Sequence, residues 1–275
     1  MRYLSLSTWS LHRNLGPLHW TKWDEDNQKQ ITVIDPQPEL TTLLELPAIL
    51  AEKGFEAIEI GHFHVLDTSE AYLHQLRNAV FQAGIKFYTL LLDYGDISSG
   101  DPTRRTADIK WLMHWIYIAS IVGAERVRII GGQAEPTNKE ALVRSADALK
   151  QLCSYADSLG VKVVTENFQP LTSVAENCLA LREACKGSLG LISDFGNFSG
   201  ASKYTELAKI IPHSESIHAK AISDDQGLSN VEEFQQCLNL VKEAGYQGPI
   251  VLIYDGPDDL WTGIERVKEL VLPYL

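Results

Sequence analysis

The chain has 275 residues, 45% of them hydrophobic and 22% charged, which is enough apolar material for a large core and argues against disorder. Its 36 acidic and 24 basic residues give a formal charge of −12. That field repels nucleic acid and anionic membrane surfaces, so neither is an expected partner, although a local Lys or Arg can still hold a small anion. There is no apolar run of the length that spans a membrane.

The N-terminal stretch MRYLSLSTWSLHRN lacks a long apolar segment and reads as a first strand, Tyr3–Ser7, rather than as a signal peptide. Cys153, Cys178, Cys185 and Cys237 form no C-x-x-C pair. They read as inert thiols of a reducing compartment, so a cytoplasmic protein is expected. Residues 12–40 hold Trp20, Trp23, the charged run Lys22–Asp26, Pro36 and Pro38. The segment is too long for an ordinary strand-to-helix connection. It leaves the C-terminal end of the first strand, so it is expected as a lid or rim element, or as an excursion packed on its own tryptophans.

From there one unit recurs: an amphipathic helix ends in Gly, and an apolar run follows. The glycines are Gly54, Gly84, Gly123, Gly160 and Gly245, and Gly suits the left-handed position that closes a helix. Asp101-Pro102 reads as an N-cap with Pro at the first helical position. Trp111, Trp115 and Ile118 then line one helix face as core. Leu142, Ala146, Leu149, Cys153 and Ala156 do the same on the next helix.

The apolar runs are Ile58–Ile60, Phe87–Leu92, Val127–Ile130, Val161–Val164, Leu189–Ile192, Ile217 with Ala219, and Ile250–Ile253. With Tyr3–Ser7 they make eight. Strands apolar on both faces that alternate with helices predict a parallel sheet covered by helices, and eight such units predict closure. No G-x-G-x-x-G or G-x-x-x-x-G-K follows the first strand to favour an open doubly wound sheet. The fold expected is α/β: a single (β/α)₈ TIM barrel domain over residues 1–275, with the 12–40 excursion at its active-site face.

Polar groups at the C-terminal ends of barrel strands converge on one mouth. Here they include His62 and His64 on the second strand, Gln133 after the fourth, and Glu166 and Asn167 on the fifth. Asp194 and Asn197 follow on the sixth, His218 and Lys220 on the seventh, and Asp255 after the eighth. Two carboxylates and an imidazole on three consecutive strands, Glu166, Asp194 and His218, suit a divalent ion such as Mn²⁺, Mg²⁺, Co²⁺ or Zn²⁺; plain hydrogen bonding at the rim is the alternative. Lys220 shares the inward side of His218. It either stabilises an oxyanion or holds an anionic group, or it forms an ion pair with Asp194 or Glu166. His62, His64, Asn167, Asn197, Gln133 and Trp9 are candidate substrate contacts.

The chain resembles the sugar phosphate isomerase/epimerase family of xylose isomerase-like TIM barrels. The resemblance rests on Gly54–Ile60 (GFEAIEI), Val163–Asn167 (VVTEN), Ile192–Asn197 (ISDFGN), Ile217–Lys220 (IHAK) and Gly248–Gly256 (GPIVLIYDG). It implies a divalent ion on Glu166, Asp194 and His218, with Glu166 as the base that moves a proton on a carbohydrate substrate. Two positions depart from the family pattern. Ile253 stands where the family has a Glu that is both fourth ligand and second acid/base, so the ion is expected to be weakly held. Asn197 stands where several epimerases have His. A metal-dependent isomerase or epimerase of a sugar, sugar phosphate or sugar-derived hydroxy-carbonyl is the leading expectation, with Glu166 and Lys220 catalytic.

A lyase or dehydratase, which needs one base and one acid, and a degenerate sugar-binding barrel remain alternatives. Asp255 either replaces the missing ligand or serves a turn before Gly256. A DNA-cleaving member with several zinc ions fits poorly, given eight histidines and the acidic charge. Homodimer formation is left open.

Overall fold

The structure is a computed structural model that describes residues 1–224, 227–228 and 230–275. Eight parallel strands close into a barrel in which each pairs with its neighbours in sequence and the last pairs with the first. They are β1 (Tyr3–Ser7), β2 (Ala57–Gly61), β3 (Lys86–Leu91), β4 (Arg126–Arg128), β5 (Lys162–Glu166), β6 (Gly190–Asp194), β7 (Ser214–Lys220) and β8 (Pro249–Ile253). Helices α1 (Leu46–Glu52), α2 (Glu70–Gln82), α3 (Pro102–Val122), α4 (Lys139–Ser158), α5 (Ala175–Ala184), α6 (Lys203–Ile210), α7 (Val231–Glu243) and α8 (Leu260–Val271) return the chain between strands. Among the described residues, no helix is long and apolar enough to cross a membrane.

The punctuation read from the sequence is the punctuation of the fold. Gly54, Gly84, Gly123, Gly160 and Gly245 all have positive φ at helix ends. Asp101 caps α3 by accepting from the Thr103 amide, with Pro102 at the first position. Trp115 and Ile118 are buried on α3, and all four cysteines are buried and free.

The two faces of the barrel wall differ in chemistry. Outward residues such as Leu6, Ile58, Leu90, Val127, Val163, Leu191, Ile217 and Leu252 are fully or almost fully buried in one core with the helices. Each contributes about 1.5–3 kcal/mol by leaving water. The interior is largely polar. Buried Glu59, Thr89, Arg128, Ser216 and His218 lie within it, and Leu91, Val164 and Ile192 form a small apolar cluster apart from the main core. Glu59 on β2 bonds His218 on β7, two strands that are not neighbours, so the contact crosses the barrel lumen.

The segment after β1 forms an antiparallel ribbon, Leu18–Asp24 paired with Lys29–Asp35. Its turn is tied by Asp24, which accepts from the amides of Asp26 and Asn27 at 3.0 Å. The ribbon is docked on α3, where the Gln30 side chain donates to the fully buried Asp108 at 3.1 Å. Trp20 therefore faces the barrel mouth while Ile31, Val33 and Ile34 face solvent. A second, shorter ribbon pairs Ser223–Asp224 with Gly227–Leu228 beyond β7.

The end of β8 is fixed from outside. Tyr254 is fully buried against α8, where a Cβ on Gly263 would lie 2.1 Å from its ring. With Tyr254 turned outward, its neighbours Ile253 and Asp255 turn toward the mouth. Gly263 sits inside α8, where Ala is the better helix former by about 1 kcal/mol. The Tyr254 ring reverses that preference: Gly263→Ala is expected to lower stability by about 1–3 kcal/mol through overpacking. Chemical denaturation measures this directly, and a variant as stable as the parent would show that the ring is free to move aside.

Candidate active site

The mouth is built by strand periodicity. Glu166 and Asp194 end β5 and β6, and Asp194 is paired in register with His218 on β7. All three are buried, and one ligand atom of each lies within 4.8 Å of the others. His218 Nδ1 is 3.4 Å from Glu166 Oε1 and 3.7 Å from Asp194 Oδ2. On its other side His218 Nε2 lies 2.7 Å from Glu59 Oε2, and Thr89 donates to Glu59 Oε1 at 2.9 Å. With Nε2 donating to Glu59, Nδ1 is the atom turned to the two other carboxylates, and loss of its proton to an incoming ion gives the tautomer a metal ligand needs.

The carboxylates are held from behind. Asn167 clamps the Asp194 backbone in both directions, at 2.8 and 3.0 Å. The Gly196 amide donates to Asp194 Oδ1 at 2.5 Å, and Asn197 Nδ2 donates to Glu166 Oε1 at 3.0 Å. Burial works against a charged His218, but Glu166 and Glu59 outweigh it and hold its pKa well above the ordinary value. The cluster thus attracts positive charge strongly. Two carboxylates and one imidazole, preset in orientation, fit a hard or borderline divalent ion. Ile253 lines the same cavity and supplies no ligand atom.

The cavity above the cluster is about 350 Å³. Trp9, Trp20 and Phe63 make one wall, with the Trp20 and Phe63 rings 4.4 Å apart and tilted by 34°. The charged part of the lining is Asp93, Glu166, Asp194, Arg128 and Lys220. Lys220 pairs with Asp255 at 2.9 Å rather than with Asp194 or Glu166. Burial opposes its charge, and Asp255 outweighs that, so its pKa is raised. Gln169 also lines the cavity, and its backbone has φ 71° and ψ 162°, a region that is nearly glycine-only.

Of the residues singled out in the sequence, Glu166, Asp194, His218, Lys220, Asn197 and Trp9 line this cavity. His62, His64, Asn167 and Gln133 are placed elsewhere. After Gly61 the chain tightens into a 3₁₀ turn over His62–His64 that presents Phe63 to the cavity. His62 lies behind it, edge-on to Trp111 and Trp115, and His64 bonds Thr8 at 2.9 Å. Burial pushes both imidazoles down to about 3, so they are neutral. Asn167 is spent on the Asp194 backbone, and Gln133 on Arg104 and Asp96 at the rim. The structure adds Arg128, Phe63 and Gln169 to the lining and brings in Trp20 from the 12–40 segment and the strand-end carboxylate Asp93, with the strand-end Glu59 behind His218. The Arg126–Val127–Arg128 alternation, with two charges on one side of a strand, was the available signal for Arg128.

Residues 47–270 match the model of the xylose isomerase-like TIM barrel family. No curated protein sequence matches the chain significantly. Among solved structures, an L-ribulose 3-epimerase superposes over 100% of this chain and 95% of its own, with TM-score 0.74 and 17% identity. The probable 3-DHS dehydratase AsbF of Bacillus anthracis covers 99% of each chain, with TM-score 0.70 and 18% identity. A xylose isomerase-like TIM barrel protein from Mycobacterium smegmatis in complex with magnesium covers 99% and 96%, with TM-score 0.67 and 15% identity. At these identities the likeness is one of fold.

Glu59 acts on the cluster through His218, so Glu59→Ala, which removes the acceptor of the Nε2 proton, tests the arrangement without touching a ligand. Loss of the partner that fixes the ring is expected to weaken Mn²⁺ binding about 10–100-fold. Calorimetric titration checks this. Unchanged affinity would mean that the cross-barrel bond does not orient the imidazole.

Proposed function

The chain belongs to the xylose isomerase-like TIM barrel family, and from that membership we propose that it is a metal-assisted isomerase or epimerase of a sugar or sugar-derived hydroxy-carbonyl. The observation that carries this is the convergence of Glu166, Asp194 and His218 Nδ1 beneath a cavity walled by aromatic rings. A divalent ion held there would polarise the substrate's carbonyl and neighbouring hydroxyl and acidify the C–H between them. Trp9, Trp20 and Phe63 offer flat apolar faces to the C–H surface of a sugar and exclude water. Glu166 is the base that takes the proton from carbon, and Asn197 and Arg128 fix its two oxygens. Lys220, kept as an ammonium by Asp255, faces the substrate oxygen that gains charge.

The substrate class favoured is an uncharged sugar rather than a sugar phosphate. The two cations that line the cavity, Arg128 and Lys220, are each already paired with carboxylates. Solved structures of the same fold include an L-ribulose 3-epimerase, a magnesium complex and a probable dehydratase, which is in keeping with this reading.

Ile253 favours a second reading. It leaves the cavity without a carboxylate opposite Glu166, and elimination of water needs only one base, Glu166, and one acid, Lys220. One experiment covers both. A panel of ketopentoses and ketohexoses is incubated in D₂O with Mn²⁺, and proton NMR follows deuterium entry next to the carbonyl, which reports C–H cleavage whatever the product. Exchange is expected for at least one sugar and should fall at least about 100-fold in Glu166→Gln. Exchange with a change of sugar identifies an isomerase or epimerase, and loss of the hydroxyl identifies a dehydratase. A Glu166→Gln variant as active as the parent would remove the assigned base.

Trp20 gives a further test, since the ribbon carries it onto the cavity from outside the barrel. Trp20→Ala is expected to raise KM more than it lowers kcat, because it removes a face that holds ground state and transition state alike. Steady-state kinetics on the sugar found above decides it, and a pure kcat loss would place Trp20 in the chemistry instead.

A further inference from the structure

Glu166 presents its two oxygens to different neighbours. Oε1 faces His218 and Asn197, while Oε2 lies 3.2 Å from Arg128 Nε. That N–H is not aimed along a hydrogen bond, so the contact is one of charge. The same guanidinium pairs through Nη2 with Asp93 and donates from Nη1 to the Leu92 carbonyl at 3.3 Å. Its plane lies over the Phe168 ring at 5.0 Å. Arg128 is only 4% exposed, yet it lines the cavity together with both carboxylates that it touches.

Pairing with two carboxylates is not by itself special here, since Arg126 on the same strand pairs with Glu125 and Glu215 away from the cavity; what distinguishes Arg128 is its place at the cavity. It spans two cavity carboxylates, and one of them, Glu166, also belongs to the cluster that suits a divalent ion. Glu166 is buried and Asp93 half-buried, and two carboxylates that share one cation at a cavity are where a second divalent ion would bind if nothing else filled the place. We propose that Arg128 is the fixed second cation of this site. It fills the place between Asp93 and Glu166 that a second ion would take, limits the chain to one divalent ion, and serves as the second electrophile facing a bound substrate. The proposal rests on the metal reading of Glu166, Asp194 and His218 given above. Unlike an ion, the guanidinium cannot dissociate, and its planar donors keep a set direction.

The test counts Mn²⁺ per chain by calorimetric titration and by elemental analysis after gel filtration, in the parent, Arg128→Ala and Arg128→Lys. One ion is expected in the parent, two in Arg128→Ala, and one in Arg128→Lys, which keeps the charge. Asp93→Asn added to Arg128→Ala should return the count to one. Millimolar guanidinium should raise the melting temperature of Arg128→Ala while leaving the parent unchanged. A count of one in Arg128→Ala with no response to guanidinium overturns the proposal, as does a count of two in Arg128→Lys. If Arg128→Ala does not fold, the lysine count decides, and folding of the alanine chain only with guanidinium or Mn²⁺ present supports the proposal. Failure of the metal reading looks different. The parent then binds no ion, and Arg128→Ala gains a single ion that Asp93→Asn removes; no ion in either chain overturns both.

Discussion

Negative charge confined in a low dielectric is the constraint that organises this barrel. Glu59, Asp93, Glu166 and Asp194 gather at one end of the lumen, and Glu59, Glu166 and Asp194 are buried. Carboxylates cannot stay ionised in such a place without partners. The interior answers with Thr89 and His218 on Glu59, backbone and Asn167 contacts around Asp194, and Arg128 between Asp93 and Glu166. The polar lumen follows from this demand, and so does the division of labour in the wall. Because the inward face is given to charge and hydrogen bonds, the outward face must carry nearly all of the apolar burial that holds the fold together.

Much of this was legible in the chain itself. Helix-ending glycines and runs apolar on both faces define the eight units. The period of two along a strand puts Glu166 and Asp194 on the inward side together with Val164 and Ile192. His218 and Lys220 share a side for the same reason, as their common cavity shows. The family resemblance read from short strand-end motifs agrees with the family whose model spans residues 47–270.

What stayed hidden depended on contacts made across space. Glu59 was visible at a strand end, but its bond to His218 depends on how the closed barrel staggers its strands, which no local pattern encodes. Arg128 lay in a run read for its apolar residues. The placement of His62 and His64 turned on a change from strand to 3₁₀ turn within three residues, which exchanged Phe63 for its neighbours. Length and composition mark the 12–40 segment as unusual, but its ribbon pairing and its anchor at buried Asp108 depend on a helix some seventy-eight residues further on, beyond any local pattern. Strand alternation points Lys220 toward Asp194 and Glu166, but the turn after the last strand brings Asp255 closer and takes the ion pair.

The backbone at Gln169 carries a consequence for the history of the chain. Its conformation costs a residue with a Cβ on the order of 1–3 kcal/mol, and glycine would adopt it without that cost. Folding alone therefore pulls this position toward glycine, and a side chain useful at the cavity is one thing that opposes that pull. Among descendants of this sequence, position 169 becomes a clock of disuse. A lineage that still turns over a ligand should hold a side chain there, and one that has kept only the scaffold should drift to glycine.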